Sequence, residues 1–407
     1  MDYKDLIGSY GSPLYVYDIN KVIAAYQHLQ TCLPPEAAIF YSVKANPHPF
    51  IIRQLYDCGA GVEVSSPGEI HAALQAGVAA ERCLFTGPGK SISDLEFSLH
   101  KGIAFFSVES EMELRRIEKA ADNFPATEIS LLLRINPVQA ARGISLTMMG
   151  KDSQFGIDEA LIISYPERFK SRKKNVAIVG FHTYMGSNIT TIAHLTEAFE
   201  IGLQCACRMG NALNIKPEVI NLGGGFWHPF ANNEPSPRYE PLQPVVAALL
   251  ARYFPNHRPR FIFESGRFLV GASGCLATTV QDVKWCRNTQ YGILDSGINH
   301  LGGMAGLRRV PRYEIDIHKE DKAHEPLSCW VLAGPLCTPL DVFTYDITTT
   351  PFFCGDIIVI KNVGAYSLTA SLIGFLSFEP PVEICVLDGT VCEVSKLEIN
   401  RKKIAYI

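Results

Sequence analysis

The sequence has no C-x-x-C pair, although it contains 12 cysteines, and only Cys205 and Cys207 come close to one, as a C-x-C. Scattered cysteines of this kind indicate neither a zinc site nor a disulfide framework. We therefore expect no bound metal, and we expect most of the thiols to be buried apolar side chains.

Long apolar runs and dense charge are also missing. No segment has the length of a membrane span, and the opening residues MDYKDLIGSYGSPLYVYD lack the uninterrupted apolar core of a signal peptide, so a cytoplasmic protein is expected. Charged residues make up 19% of the chain and the formal net charge is -4. This balance gives no basis for binding nucleic acid or an anionic membrane, so small molecules or a second copy of the chain are the expected partners.

What the sequence does contain is a repeated α/β pattern. Of its 407 residues 47% are apolar, which is enough for a large core and more than one domain. From residue 37, a β-rich run, a turn and a helical stretch follow one another repeatedly. The runs are AAIFYSVKA, AGVEVSS, RCLFTG, IAFFSVES, EISLLLRIN, VAIVGFHTYMG, PEVINLGGG and PRFIFESG. These eight units predict a TIM (β/α)8 barrel, with a doubly wound open sheet as the alternative.

After about residue 268 the pattern changes to short alternating runs, which predict a mostly antiparallel β domain. The early segment GSPLYVYD is also strand-like, and we expect it to pair with that domain. We thus predict a barrel over residues 28–268 and a β domain formed by residues 1–27 and 269–407.

Polar and glycine residues gather at the C-terminal ends of the barrel runs, where barrels place their active sites. The glycines of 223–225 follow the seventh run and Arg267 follows the eighth, the positions at which barrels often bind phosphate, although three glycines can also mark a tight turn. Glu264 ends the eighth run, either as an ion-pair partner of Arg267 or as the acidic partner of a ring nitrogen. A phosphate, a ring nitrogen and the strand-end amine of Lys44 together indicate pyridoxal phosphate (PLP), held as a Schiff base.

A series of motifs supports this interpretation across the whole chain. In order they are GSPLYVYD, YSVKAN, GVEVSSPGEI, FTGPGKS, LLLRIN, SQFGI, GFHTYMGS, NLGGGF, FESGR, GPLCTPLD and VGAYSLTAS. In these motifs the chain resembles the fold type III, or alanine-racemase-like, PLP enzymes of the ornithine and diaminopimelate decarboxylase group.

The resemblance implies a role for each matching residue. Lys44 would form the Schiff base, and Glu264 would keep the pyridine nitrogen protonated. Cys337 would reach the cofactor of the partner subunit in a homodimer and reprotonate the carbon after carbon dioxide leaves. Asp341, in the same motif, would lie at the shared site. The residues implied around the phosphate are Ser187, Gly223, Gly224, Gly225, Gly266, Arg267 and Tyr366.

Two positions depart from the family pattern. Tyr184 stands where typical members have a histidine stacked on the cofactor ring. The tyrosine keeps an aromatic ring that can stack, but it does not change its charge near neutral pH as histidine does. The nearby His182 is either a site residue or a buried structural histidine. Thr338 stands where diaminopimelate and ornithine decarboxylases carry an acidic residue that contacts the distal ammonium of the substrate. A threonine cannot provide that charge.

The second departure favours decarboxylation of an amino acid with a modified or acidic side chain. The motifs look closest to a branch that includes citryl-diaminopropionate decarboxylases of siderophore biosynthesis and enzymes that act on carrier-bound amino acids, so a carrier protein is a further expected partner. Arg142, Arg308 and Arg309 are candidate ligands for substrate carboxylates. Two alternatives stay open: a decarboxylase of diaminopimelate, ornithine or lysine, and a non-catalytic homologue that regulates a partner.

Overall fold

The computed structural model describes residues 2–141, 144–147, 149–302, 317–318, 326–402 and 404. Its strands, in chain order, are β1 (Leu14–Asp18), β2 (Ala38–Ser42), β3 (Gly61–Val64), β4 (Cys83–Phe85), β5 (Phe105–Val108), β6 (Ile129–Asn136), β7 (Ile144–Thr147), β8 (Ile157–Asp158), β9 (Val176–His182), β10 (Gly186–Ile189), β11 (Val219–Asn221), β12 (Arg260–Ser265), β13 (Gly274–Cys286), β14 (Thr289–Leu294), β15 (Ile317–His318), β16 (Ser328–Ala333), β17 (Val342–Thr349), β18 (Ile357–Lys361), β19 (Val382–Leu387) and β20 (Thr390–Lys396). All eight predicted barrel runs are strands.

Six of the helices begin after a short polar side chain that caps them. The helices are α1 (Tyr3–Tyr10), α2 (Ile19–Thr31), α3 (Pro49–Asp57), α4 (Pro67–Gln75), α5 (Ile92–His100), α6 (Glu111–Ala121), α7 (Glu159–Ser164), α8 (Ile192–Leu213), α9 (Leu242–Tyr253) and α10 (Arg267–Val270). Ser66 accepts from the amide of Glu69 at the start of α4, and Ser91 and Asp94 form a capping box at α5. These two caps mark where the loops after β3 and β4 turn into helices.

Eight of the strands close into a parallel barrel. They pair in the order β5-β4-β3-β2-β12-β11-β9-β6, and β5 pairs in turn with β6. The predicted barrel is therefore confirmed and the open sheet is wrong. A buried cluster of Phe40, Leu84, Leu132 and Ile262 joins four of these strands. Parallel pairing brings the carboxyl ends of all eight strands to one edge, where the site described below lies.

The second predicted domain is a mostly antiparallel sheet, ordered β17-β16-β14-β13-β1-β19-β20, with β18 pairing β13. As expected, β1 belongs to it, antiparallel to β13 and parallel to β19. Its core includes Leu14, Val16, Ala277 and Ile384, all buried. By its contacts the chain divides into two units, residues 23–228 with 236–269, which hold the barrel, and residues 1–22, 229–235 and 270–407, which hold this sheet.

The expectation that most cysteines are buried is wrong. Five are buried and five are exposed, the exposed ones being Cys286, Cys329, Cys337, Cys354 and Cys392. All five exposed thiols lie in the β unit, where strands with one solvated face and connecting loops present side chains to water. Among the helices that the structure describes, none combines the length and apolarity that crossing a membrane requires.

Candidate active site

Lys44 lies directly after β2, in a single 3-10 turn over Val43–Ala45. Its Nζ atom is 3.0 Å from both carboxylate oxygens of Glu63, at the end of the neighbouring strand β3. The lysine side chain is 40% exposed and that of Glu63 only 1%. The amine is thus accessible on one side and held by a buried carboxylate on the other.

Glu63 is a site residue that sequence reasoning did not single out. Its carboxylate also accepts hydrogen bonds from the hydroxyls of Thr86 and Ser65. Burial alone would raise the pKa of Glu63, but the ammonium of Lys44 and the hydroxyls of Ser42 and Thr86 outweigh this and hold the pKa below its usual value. A charge-bearing residue at the end of an apolar barrel strand was the available signal.

Glu264 is the second buried carboxylate at this edge, with 4% of its surface exposed. Its Oε1 atom accepts a hydrogen bond of 2.8 Å from Nδ2 of Asn221 and lies 3.5 Å from Nε2 of His182. Burial and the charge of Glu63 raise the pKa of Glu264 to about 7, against the opposing effects of Lys44, Asn221 and Arg134. A positive charge placed beside Glu264 would offset that burial cost.

The glycines of 223–225 form a loop whose backbone packs closely against β12. A Cβ atom at Gly224 would lie 2.2 Å from the carbonyl oxygen of Glu264, and both Gly223 and Gly225 have positive φ. The Gly223 amide donates to Oδ1 of Asn221, so Asn221 links the loop to Glu264. Within the described residues the amides of Gly224 and Gly225 have no hydrogen-bond acceptor. Such amides suit a phosphate.

Tyr184, the first departure from the family pattern, packs against this loop. A Cβ atom at Gly223 would lie 2.5 Å from the Tyr184 ring. The Tyr184 hydroxyl is 2.6 Å from Oγ of Ser187, one of the residues predicted to bind phosphate. The structure thus brings Tyr184, Ser187 and the glycine loop together. Arg267 follows Gly266 at the start of α10, half-buried, and its phosphate contact stays a prediction.

The remaining predicted residues belong to the β unit or lie outside the described residues. Cys337 is exposed, in the loop between β16 and β17, and Tyr366 is half-buried with φ of 55°. Both predicted roles stay predictions. Arg142, Arg308 and Arg309 lie outside the described residues.

Asp341 holds the Cys337 loop in place. Its side chain is 2% exposed and accepts hydrogen bonds of 2.8 Å from the amides of Ile298 and Leu336. Gly297 and Gly334 leave room for it, since a Cβ at either would lie within 2.6 Å of the carboxylate. Thr338 is half-buried, and its Oγ1 accepts from the amide of Leu340. The described contacts of Asp341 therefore serve the loop itself.

Comparison with known proteins identifies the family. Residues 19–271 match the family model described as the pyridoxal-dependent decarboxylase, pyridoxal binding domain. The chain belongs to the pyridoxal-dependent decarboxylases. Its cofactor is PLP, and this decarboxylase is a carboxy-lyase of fold type III, which sets the non-catalytic alternative aside.

Three relatives show how far the likeness extends. The decarboxylase is 30% identical to an L-glutamyl-[BtrI acyl-carrier protein] decarboxylase of Niallia circulans, over 93% of this chain and 90% of that protein. It is 31% identical to a diaminopimelate decarboxylase of Neisseria meningitidis, over 89% and 87%. A crystal structure of diaminopimelate decarboxylase from Helicobacter pylori, complexed with L-lysine, superposes with a TM-score of 0.83 at 26% identity and covers 97% of this chain and 95% of that chain.

The residues at the barrel edge fit PLP. An accessible amine, a buried carboxylate and a glycine loop match the aldehyde, the ring nitrogen and the phosphate of the cofactor. In that loop the amides of Gly224 and Gly225 have no other acceptor among the described residues. The glycines are required at this loop, because a side chain at 224 would overlap the backbone of Glu264.

Proposed function

We propose that this decarboxylase removes the α-carboxylate of an amino acid whose side chain has no free distal ammonium. The observation that carries the proposal is the loop after Cys337. In its sequence GPLCTPLD the single carboxylate is Asp341. That carboxylate is buried and accepts hydrogen bonds from two backbone amides, so it is committed to holding the loop. Thr338 offers only a neutral hydroxyl, which supplies no charge to form an ion pair with an ammonium.

Bound PLP would supply an electron sink for the bond that breaks at Cα. The chain's own residues would prepare it. The amine of Lys44 would hold the aldehyde carbon, and Glu63 would hold the lysine ammonium when that amine is released. Glu264 would keep a proton on the ring nitrogen, which deepens the sink. Cys337 of the partner subunit would deliver a proton from Sγ to Cα after carbon dioxide departs.

The chemistry restricts how a modified substrate is attached. Both the α-amine, which reacts with the cofactor, and the α-carboxylate, which leaves, must be free. A carrier protein would therefore be joined through the side chain, as a thioester of a side-chain carboxyl group. The relative named for an L-glutamyl carrier protein supports this class. A citryl-diaminopropionate of the siderophore type is the second candidate, because it too lacks a distal ammonium.

Free diaminopimelate, ornithine or lysine is the competing substrate class. Sequence identity does not distinguish this class from carrier-bound substrates, since the carrier-protein relative is 30% identical and the diaminopimelate decarboxylase 31%. The distinction rests on Thr338 alone among the compared features, because a charged partner for the distal ammonium is what that class needs.

The test is carbon dioxide release by the purified holoenzyme from defined substrates. The probes are the γ-glutamyl thioester of N-acetylcysteamine, citryl-diaminopropionate, and free glutamate, diaminopimelate, ornithine and lysine. We expect turnover of the thioester, or of the citryl compound, and little from the free diamino acids. Efficient release from diaminopimelate, ornithine or lysine would contradict the proposal.

A further inference from the structure

His182 ends β9 beside the buried carboxylate of Glu264, and it is itself 1% exposed. Its Nδ1 atom is 2.8 Å from Oγ of Ser107, on β5. Its Nε2 atom is 3.5 Å from Oε1 of Glu264 and has no hydrogen-bond partner among the described residues. A buried ring nitrogen without a partner is costly, and the carboxylate assigned to the cofactor lies 3.5 Å from it.

The surroundings keep His182 neutral. Its burial, together with the charges of Arg134, Lys44 and Lys90, lowers the pKa of His182 well below its usual value. On the two neighbouring strands, the residues paired with His182 are Arg134 of β6 and Asn221 of β11. The carboxyl group of Glu264 also lies beside the imidazole, 3.5 Å from Nε2. A neutral imidazole carries one N–H, so the partner of Nδ1 decides whether Nε2 donates or accepts.

We propose that His182 is a positioning residue for Glu264: Ser107 donates to Nδ1, and Nε2–H is directed at Oε1. This inference rests on the proposed role of Glu264 at the ring nitrogen. Asn221 donates to the same oxygen, so in this proposal the two donors converge on Oε1 and Oε2 is left for the cofactor.

The consequence concerns where the proton resides. Two donors on Oε1 stabilise the ionised carboxylate, against the burial that raises the pKa of Glu264 to about 7. With the carboxylate ionised, the shared proton stays on the ring nitrogen. Without the second donor the proton moves toward the carboxylate, and the ring becomes a weaker electron sink.

Two amide substitutions separate this role from a structural one. In His182→Gln the side-chain NH2 lies near the position of Nε2 and can still donate to Glu264. In His182→Asn the side chain is one methylene shorter, so its amide can replace Nδ1 toward Ser107 and cannot reach Oε1. A histidine that only fills the core would be replaced equally well by either amide, or better by asparagine.

The measurement is the 15N chemical shift of ring-labelled PLP in the holoenzyme, with kcat recorded beside it. We expect a protonated ring nitrogen in the parent and in His182→Gln. In His182→Asn we expect a shift toward the unprotonated value and a kcat about tenfold lower, the size of one lost charge-assisted hydrogen bond. A protonated ring nitrogen in His182→Asn would overturn the proposal.

Two further measurements test the proposal if the first variant does not bind PLP, and test the role of Glu264 separately. If His182→Asn does not take up PLP, 15N-histidine labelling of the parent holoenzyme decides, with the His182 signal assigned by its loss in His182→Gln. The Nε2–H tautomer is expected, and the Nδ1–H tautomer would overturn the proposal. Glu264→Gln tests the underlying role separately. If that variant keeps a protonated ring nitrogen, the assignment of Glu264 fails, whatever His182 does.

Discussion

At the scale of single residues, the site depends on two buried carboxylates in different states. The pKa of Glu63 is below its usual value because Lys44 and two hydroxyls outweigh its burial, and the pKa of Glu264 is raised to about 7 because burial and Glu63 oppose its charge. Environments that push the pKa values of neighbouring acids apart are typical of sites that assign them separate tasks. Here Glu63 is the counter-ion of the Lys44 amine, and the role proposed for Glu264 is to respond to the cofactor.

Thr338 gives the first residue-scale prediction. In Thr338→Glu a carboxylate would occupy the position at which diaminopimelate decarboxylases carry an acid, and it would pair with a distal ammonium. We expect kcat/KM for free diaminopimelate to rise about tenfold, the effect of one charge-assisted hydrogen bond. Thr338→Gln has the same shape without the charge and should show no such rise. Equal gains in both variants would mean that charge at 338 does not select the substrate.

Glu383 gives a pH-dependent prediction away from the site. It is 6% exposed, accepts a hydrogen bond from Tyr17, and burial raises its pKa from 4.5 to about 7. Between these values the unfolded chain releases this proton and the folded chain keeps it, so stability falls as pH rises. The full loss, reached above pH 7, is about 3 kcal/mol. Glu383→Gln removes the titration and still accepts from Tyr17.

The measurement is the melting temperature of parent and Glu383→Gln from pH 4 to pH 8. The variant should gain on the parent between about pH 4.5 and pH 7, and the difference between the two should be constant below pH 4.5. Glu398→Gln, at an exposed position, is the matched control and should show no trend. A difference between Glu383→Gln and parent that does not vary with pH would contradict the assignment.

At the scale of elements, the glycine loop after β11 is defined by backbone contact. A methyl group at 224 would lie 2.2 Å from the carbonyl oxygen of Glu264, so Gly224→Ala must move the loop away from β12. We expect PLP affinity to fall by about tenfold or more, at a stability cost of about 1–3 kcal/mol. Equilibrium dialysis with PLP measures the first effect and thermal unfolding the second.

The control is a glycine with open space around it. Gly8 lies in α1, and nothing is within 4 Å of where its Cβ would be. Gly8→Ala should stabilise that helix by about 0.5–1 kcal/mol and leave PLP affinity unchanged. Parent-like affinity in Gly224→Ala would mean that the loop does not form the phosphate site.

The strands could be predicted from the sequence more reliably than the hydrogen bonds between residues that are distant in sequence. All eight barrel strands were predictable because apolar runs and turn residues alternate locally, and Lys44 stands where such a run ends. The roles of Asn221 and Asp341 were harder to predict, because their partners are distant in sequence. Asn221 donates to the carboxylate of Glu264, 43 residues later, and Asp341 accepts from the amide of Ile298, 43 residues earlier. The same holds for the exposed Cys337, because its position in a loop does not show which residues or which subunit its thiol contacts.

At the scale of the whole molecule, the resemblance implies a site assembled from two chains. Lys44 belongs to the barrel unit and Cys337 to the β unit, where its thiol is exposed in the single chain. If the thiol acts at the partner's cofactor, the homodimer is required for protonation of the product. In a mixed dimer with Lys44→Ala on one chain and Cys337→Ala on the other, both substitutions would then fall in the same site.

This arrangement predicts opposite results for two mixed dimers, each isolated through two different affinity tags. In a dimer of Lys44→Ala with Cys337→Ala, sites shared between subunits leave one site with both groups, so about half of the parent activity is expected. In a dimer of the parent chain with the double variant, every shared site lacks one group and activity is lost. Sites contained within one chain would give the reverse, with an inactive first dimer and a half-active second. Because both dimers contain the same two substitutions, differences in folding or cofactor content cannot produce this reversal.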